Sequence, residues 1–458
     1  MHVGWVSKLR RVSGGGGLDP DLLARRVEGR LHLVPRFRQR IVQTPLGEPF
    51  WADDPGFRIE RHVHVPEEPT QPLAQLTESF LSRPLDRSRP LWEIQVVPRI
   101  RGGGAAVLGK VHHAMVDGVA AVELGMLLFD IAPEAALPDR VDWEPAPPAS
   151  GVRLAAESAG DTALEQFRAA RRIAGLGLNP RRTARVAESM RRAALSLAED
   201  AVRPAPASYL NPPIDGRRAL ATGEIPLARL RSLKDAAGVK LNDLVLALAA
   251  TALRRLAAIR EEPADPVRAM VPVSVRSEGE TGSGGNRIAF AFVDLPVEEP
   301  EPLRRLALVQ QRMDEVKASG RTAGSDLLMR AVVGQLPGPL KDRAARLAAG
   351  PRLYNLTVSN VPGPQRPLYA AGMRVESIHP VIPLSDGHAL AIGVLSYDGS
   401  LQLAAHLHPG ALPEAAGLPG LVRSALGELE AAMRPRQRRA RLPGPRRSLR
   451  VARAAGAG

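Results

Sequence analysis

Cysteine is absent from the 458-residue chain. That removes disulfides, thiolate metal sites and a covalent thiol nucleophile together, and it fits a reducing cytoplasm. Aromatic residues make up only 3%, which argues against a row of base-stacking platforms and so against a nucleic-acid partner. Long hydrophobic runs are also missing. The longest, Leu244 to Leu253 (LVLALAATAL), falls far short of the ~20 residues needed to cross a bilayer. The first residues lack the charged-then-apolar pattern of a signal peptide. A cytoplasmic protein is expected, soluble or peripheral on the inner face of the cell membrane.

What is present describes a globular chain of more than one domain. Apolar residues reach 44% and charged residues 24%, and the length exceeds what one hydrophobic core usually supports. The net charge of +14 is uneven, because Arg434 to Gly458 holds nine arginines and no acid, leaving +5 for the rest. This tail (434–458), rich in Arg, Pro and Gly, reads as disordered: either simply solvated or drawn to anionic lipid.

Mixed helix and strand signals fill residues 1–140. Asp19-Pro20-Asp21 opens a helix, and Leu91 to Val97 and Ala105 to His113 read as paired strands around the turn Pro98 to Gly104. Residues 141–215 change character, with basic amphipathic helices that suit a connector or a lipid interface. A second mixed region spans 216–433. Its clearest helix is Asn242 to Leu256, with Asn242 as N-cap. Strands are expected at Val267 to Val275, Arg287 to Leu295, Leu353 to Val358, His388 to Tyr397 and Leu401 to Leu407. Asp398-Gly399 signals a hairpin between the last two.

Within KVHHAMVDGVAAVE (Lys110 to Glu123), strand alternation sends His112 and His113 to opposite faces. They cannot meet at one reaction centre or chelate one metal ion, and no HExxH or carboxylate cluster adds ligands. Either one is chemical and the other structural, or both are structural. Asp117 falls where an N-cap belongs, Gly118 allows a tight turn, and Val119 to Phe129 reads as a helix. A helix N-terminus beside an imidazole keeps the ring neutral, a geometry suited to a general base.

HHAMVDG (His112 to Gly118) resembles the active-site motif of the wax ester synthase/diacylglycerol acyltransferase family, within the CoA-dependent acyltransferase superfamily. PRFRQR (Pro35 to Arg40), PLDRSRPLWE (Pro84 to Glu93), LNPPIDGRR (Leu210 to Arg218), Asn242-Asp243, PVSVR (Pro272 to Arg276) and SNVPGP (Ser359 to Pro364) follow in the family's order. The resemblance implies an α/β (mixed α+β) fold of two chloramphenicol-acetyltransferase-like domains with an active-site channel between them.

By matching position, the resemblance makes His113 the general base, His112 a supporting residue, Asp117 a structural acid and Gly118 the turn. Asn242 and Arg276 become channel candidates, and Arg276 is also a candidate partner for Asp117. It implies no metal and no bound cofactor. Acyl-CoA is the co-substrate, diacylglycerol or a long-chain alcohol the acceptor, and a membrane or lipid-droplet surface a further partner. No covalent acyl-enzyme is needed, which agrees with the missing cysteine and with the absence of a G-x-S-x-G elbow. Condensation on carrier proteins uses the same motif, but PLW and SNVPGP argue against it. A third reading is a catalytically impaired paralogue that only binds lipid surfaces.

Overall fold

The computed structural model describes residues 2–12, 17–43, 49–115, 125, 127–138, 141–146, 204–274, 288–318 and 349–441. Strand β1 (His2–Arg10) opens the chain and α1 (Pro20–Arg30) follows. Asp19 Oδ1 accepts the N–H groups of Asp21 and Leu22 at 2.9 and 3.2 Å and caps α1, which starts where Asp19-Pro20-Asp21 opens a helix. A small hairpin, β2 (Gln39–Gln43) and β3 (Pro49–Asp53), precedes β4 (Val63–His64), α2 (Leu73–Ser82), β5 (Trp92–Val97) and β6 (Ala105–His112). The turn joining β5 to β6 uses Gly102, Gly103 and Gly104 at φ of 89°, 95° and 82°. At Gly104 a Cβ would stand 2.2 Å from the Leu9 carbonyl oxygen, so only glycine fits there.

The second half contains β7 (Ala219–Pro226), α3 (Leu227–Ala237), α4 (Leu241–Ile259), β8 (Val267–Ser274), β9 (Ile288–Leu295) and α5 (Pro302–Ala318). After it come β10 (Leu356–Pro362), β11 (Tyr369–Ala370), β12 (Met373–Val381), β13 (Leu390–Tyr397), β14 (Ser400–Leu407) and α6 (Leu418–Arg441). The strands form two six-stranded sheets, ordered β11-β12-β1-β6-β5-β4 and β7-β14-β13-β10-β8-β9. On one face of the second sheet, α3, α4, α5 and α6 build the larger core. The apolar run Leu244 to Leu253 lies in α4 and is buried there. Among the described residues, no single helix is long and apolar enough to cross a membrane.

Several boundaries differ from the sequence reading. β12 comes from the second half, yet it pairs antiparallel with β1 from Gly4↔Val381 to Arg10↔Arg374. The first sheet is therefore not built from residues 1–140 alone. Residues 205–215, expected in the linker, pack onto the second half. Leu210 is fully buried in its core, and Asn211 Nδ2 donates to the carbonyls of Asn355 (3.0 Å) and Gly387 (2.8 Å). Arg434, expected to start the tail, lies inside α6, which runs to Arg441. Helix α4 begins at Leu241 behind Lys240, so Asn242 is not the N-cap; Asp243 Oδ2 accepts the Lys240 N–H instead, at 3.3 Å. β10 lies later than the expected Leu353 to Val358. The remaining expected linker, residues 147–203, and the tail beyond 441 fall outside the described residues.

Two buried histidines stitch the sheets together. His379 of β12 donates to the Leu403 carbonyl of β14, and His406 Nδ1 of β14 donates to the Ile382 carbonyl at 2.6 Å. Gly393 of β13 allows this approach, since a Cβ there would come within 2.7 Å of Ile382 and 3.1 Å of Pro380. Burial lowers the pKa of both histidines to about 4. In the unfolded chain they titrate near 6.5. Between those values the unfolded state binds protons that the folded state refuses, so stability falls as pH drops from about 6.5 towards 4 and is level above 6.5. Urea melts at pH 7 and pH 5 should show this loss, at no more than about 1.4 kcal/mol per pH unit for each histidine. His406→Gln should flatten the slope; an unchanged slope would disprove the assignment.

Candidate active site

The candidate site grows from β6, a central strand held between β1 and β5, from His2↔His112 to Leu9↔Ala105 and from Trp92↔Val111 to Val97↔Ala106. Ala105, Val107 and Val111 face the core of the first half; Ala106 and Leu108 face α2 and Leu220 of β7 on the other side. With apolar cover on both faces, the strand can carry polar residues only near its end.

Lys110 is the first of them and is buried. Its ammonium donates to the carbonyls of Phe80 (2.7 Å) and Arg83 (2.8 Å), which close the C-terminal end of α2. It also pairs with Glu93 at 3.1 Å, its register partner on β5. Glu93 further contacts Arg83 and accepts from His64 Nε2 at 2.6 Å. Burial alone would raise the Glu93 pKa, but His64, Lys110 and Arg83 outweigh it and bring it to about 2. The carboxylate stays charged, and the Lys110 charge is matched where water is scarce. This cluster was not singled out from sequence. Its signal was the shared parity of Lys110 and His112, with Glu93 ending PLWE.

His112 ends β6, one residue earlier than expected, and its N–H donates to the Leu91 carbonyl at 2.9 Å. Its Nδ1 accepts the Ala114 N–H at 3.2 Å. That bond spans His113 and bends the backbone into the 3-10 turn His113–Met115. The ring meets His2 edge-on, with centroids 6.1 Å apart. Burial lowers the His112 pKa to about 4, so both ring nitrogens keep their neutral roles.

His113 is exposed, while Met115 two residues on is buried in the first core. Surrounding protein still withholds water from part of the His113 ring and lowers its pKa below the ordinary 6.5. The ring is therefore neutral at pH 7 and reachable from solvent. Asp117, Gly118 and Arg276 lie outside the described residues, as does any pairing of Asp117 with Arg276. Further along the chain, Asp130 ties the first half together. Asp130 binds Arg26 (2.7 Å) and Arg30 of α1, and exchanges backbone bonds with Tyr369 of β11 at 2.8 and 2.9 Å.

Asn242 joins a second motif. Its Oδ1 accepts from Asn360 Nδ2 at 3.4 Å, bringing the start of α4 to the SNVPGP strand. Asp243 beside it is buried, its Oδ1 has no hydrogen-bond partner among the described residues, and burial raises its pKa. LNPPIDGRR is likewise tied in, since His408 Nε2 contacts Asp215 Oδ1 at 2.7 Å. Among the described residues, no group of three or more His, Asp or Glu side chains is arranged to hold a metal ion.

Two six-stranded sheets bridged by a crossover strand, with a paired-histidine turn at the end of a central strand, make a fold that solved structures share. A wax ester synthase/diacylglycerol acyltransferase from Marinobacter aquaeolei VT8 shares the fold, with a TM-score of 0.64 at 24% identity over 94% of this chain and 95% of that one. The first condensation domain of the calcium-dependent antibiotic synthetase shares it at 0.57 and 19% identity, over 93% and 91% of the two chains. In sequence, a probable diacylglycerol O-acyltransferase of Mycobacterium tuberculosis, tgs2, is 31% identical over 94% of this chain and 95% of its own. Another from the same organism, tgs1, is 33% identical over 87% and 86%. Residues 1–245 match the wax ester synthase/diacylglycerol acyltransferase catalytic domain, and residues 284–430 match the WS/DGAT C-terminal domain. The chain belongs to the wax ester synthase/diacylglycerol acyltransferase family and is an acyltransferase.

The His112 bond has a direct check. His112→Leu removes the acceptor for Ala114 and should cost about 1 kcal/mol, with faster hydrogen exchange at the Ala114 amide. His112→Asn can remake the short-range bond and should restore protection. Equal protection in all three proteins would show that the imidazole does not hold the turn.

Proposed function

We propose that the chain transfers a fatty acyl group from acyl-CoA to diacylglycerol, making triacylglycerol, and that it also accepts long-chain alcohols. Supporting this reading above all is one observation: a neutral, solvent-reachable imidazole at His113, fixed on a turn that His112 closes. The names of the relatives support diacylglycerol as the acceptor.

In the proposed step, His113 takes the hydroxyl proton as the alcohol oxygen attacks the thioester carbonyl. The carbon–oxygen ester bond forms and the carbon–sulfur bond breaks, and the imidazolium returns its proton to the departing thiolate. Nothing is oxidised or reduced, and no acyl-enzyme forms. A ring with lowered proton affinity suits both halves of this cycle, because it starts neutral at pH 7 and releases its proton readily. Asn242, tied to Asn360, and Arg276 are the proposed channel residues, and Asp117 with Gly118 shapes the turn behind the base. The channel is proposed to lie between the two halves built on the two six-stranded sheets, the first of which includes β12. An acceptor this insoluble places the reaction at a membrane or lipid-droplet surface, on the cytoplasmic side.

The test supplies purified protein with radiolabelled palmitoyl-CoA and either diacylglycerol or hexadecanol. His113→Ala should lower turnover by roughly 100- to 10,000-fold, the usual contribution of a general base. Because the base must be neutral, kcat/KM should rise with pH and level off, with its inflection below 6.5. Equal product from wild type and His113→Ala would remove His113 from the mechanism. No product from either protein would remove the substrate assignment.

A further inference from the structure

At the outer edge of the first sheet, β4 and the turn before β5 enclose a cleft of about 350 Å3, at the lower end of the range for small-molecule sites. His113 is not among its lining residues. It borders the histidine turn all the same, because Pro90 lines it and the next carbonyl, Leu91, accepts the His112 N–H. The proposed acyl transfer does not use this cleft, although the PLDRSRPLWE motif (Pro84 to Glu93) supplies much of its wall.

His62 sits in its wall and is 2% exposed. The ring is stacked between Phe57 (5.2 Å) and Trp92 (4.6 Å), which fixes its plane. Its Nδ1 lies 2.9 Å from the Trp92 carbonyl oxygen, which can only accept, so Nδ1 carries the proton. Nε2 is then a lone-pair acceptor, and no partner meets it among the described residues. The ring is buried and firmly oriented, and its Nε2, unpartnered within the described residues, is open to a donor from outside the chain.

The charged lining narrows what that donor belongs to. Three arginines, Arg61, Arg83 and Arg89, are matched by three carboxylates, Glu60, Asp86 and Glu93, so the cleft offers no net charge to an ion. Glu93 is already bound by Lys110 and Arg83. Asp86 is held by Ser88 and by Arg89 at 3.2 Å. Glu60 and Arg61 remain. Both are exposed; Arg61 reaches only the Gly56 carbonyl, at 3.5 Å, and Glu60 has no partner among the described residues. Unfilled donors and unfilled acceptors thus stand side by side, and a hydroxyl, which donates and accepts through one neutral atom, serves both.

We propose that this cleft binds a neutral polyhydroxylated ligand, a sugar or the sugar head of a lipid, whose hydroxyls donate to His62 Nε2 and Glu60 and accept from Arg61 and Arg89. Titration calorimetry on the full chain tests it with D-glucose, with n-octyl β-D-glucoside below its micelle concentration, and with inorganic phosphate. Glucose or the glucoside should bind, and Arg61→Ala and Glu60→Gln should each weaken binding about five-fold, the effect of one hydrogen bond. Both residues are exposed and make no strong contact within the chain, so the variants retain the fold. Equal affinity for the two sugars identifies a free sugar, and a much tighter glucoside identifies a lipid head. Absence of heat from both sugars, binding unchanged in the variants, or phosphate binding in place of sugar would each overturn the assignment. None of these readouts depends on acyl transfer.

Discussion

Everything at the candidate site depends on β6 being a strand covered on both faces. Its seven residues from Ala105 to Val111 are buried, between β1 and β5 in the sheet and between two apolar clusters above and below it. Such a strand ends where its side chains can no longer be apolar, and here that change falls at Lys110 and His112. Lys110 resolves the conflict by closing α2 and pairing with Glu93. His112 resolves it by bonding forward to Ala114. The strand stops, the backbone turns, and His113 comes to the surface at a fixed place.

Neutral histidines recur throughout the molecule for one reason, burial without a charge partner. His2, His62, His112, His379, His388 and His406 all titrate below the ordinary imidazole value, with burial the largest cause in each. Most are spent on structure, as ring N–H donors to backbone carbonyls. Lowered basicity therefore does not distinguish His113 here. Access does: its ring is exposed, whereas His62, His379 and His406 are closed off.

The crossover of β12 explains why two halves make one molecule. Its residues alternate between the first core, through Met373, Val375 and Ile378, and the seam facing β14, through Ser377, His379 and Val381. Ser377 Oγ and one ring nitrogen each of His379 and His406 are buried at that seam without hydrogen-bond partners among the described residues, as is Gln402 Oε1 on β14.

Much of this was legible in the sequence. The helix opened by Asp19-Pro20-Asp21, the strands expected at Leu91 to Val97 and His388 to Tyr397, the Asp398-Gly399 hairpin and the paired-histidine motif rest on local chemistry: acids at a helix start, turn glycines and period-two alternation. Where a neighbour distant in the chain supplied the deciding contact, the sequence was silent or misleading. Asn242 reads as a cap by composition, but its side chain serves Asn360, 118 positions away. Strand β12 looks like part of the second half, but its backbone bonds run to β1. Residues and their periodicity determined which elements form and which motif they carry. Only the packed structure decided which sheet each strand joins, which histidine reaches solvent, and which charge each buried ion meets, because those choices depend on water excluded by surfaces far apart in the chain.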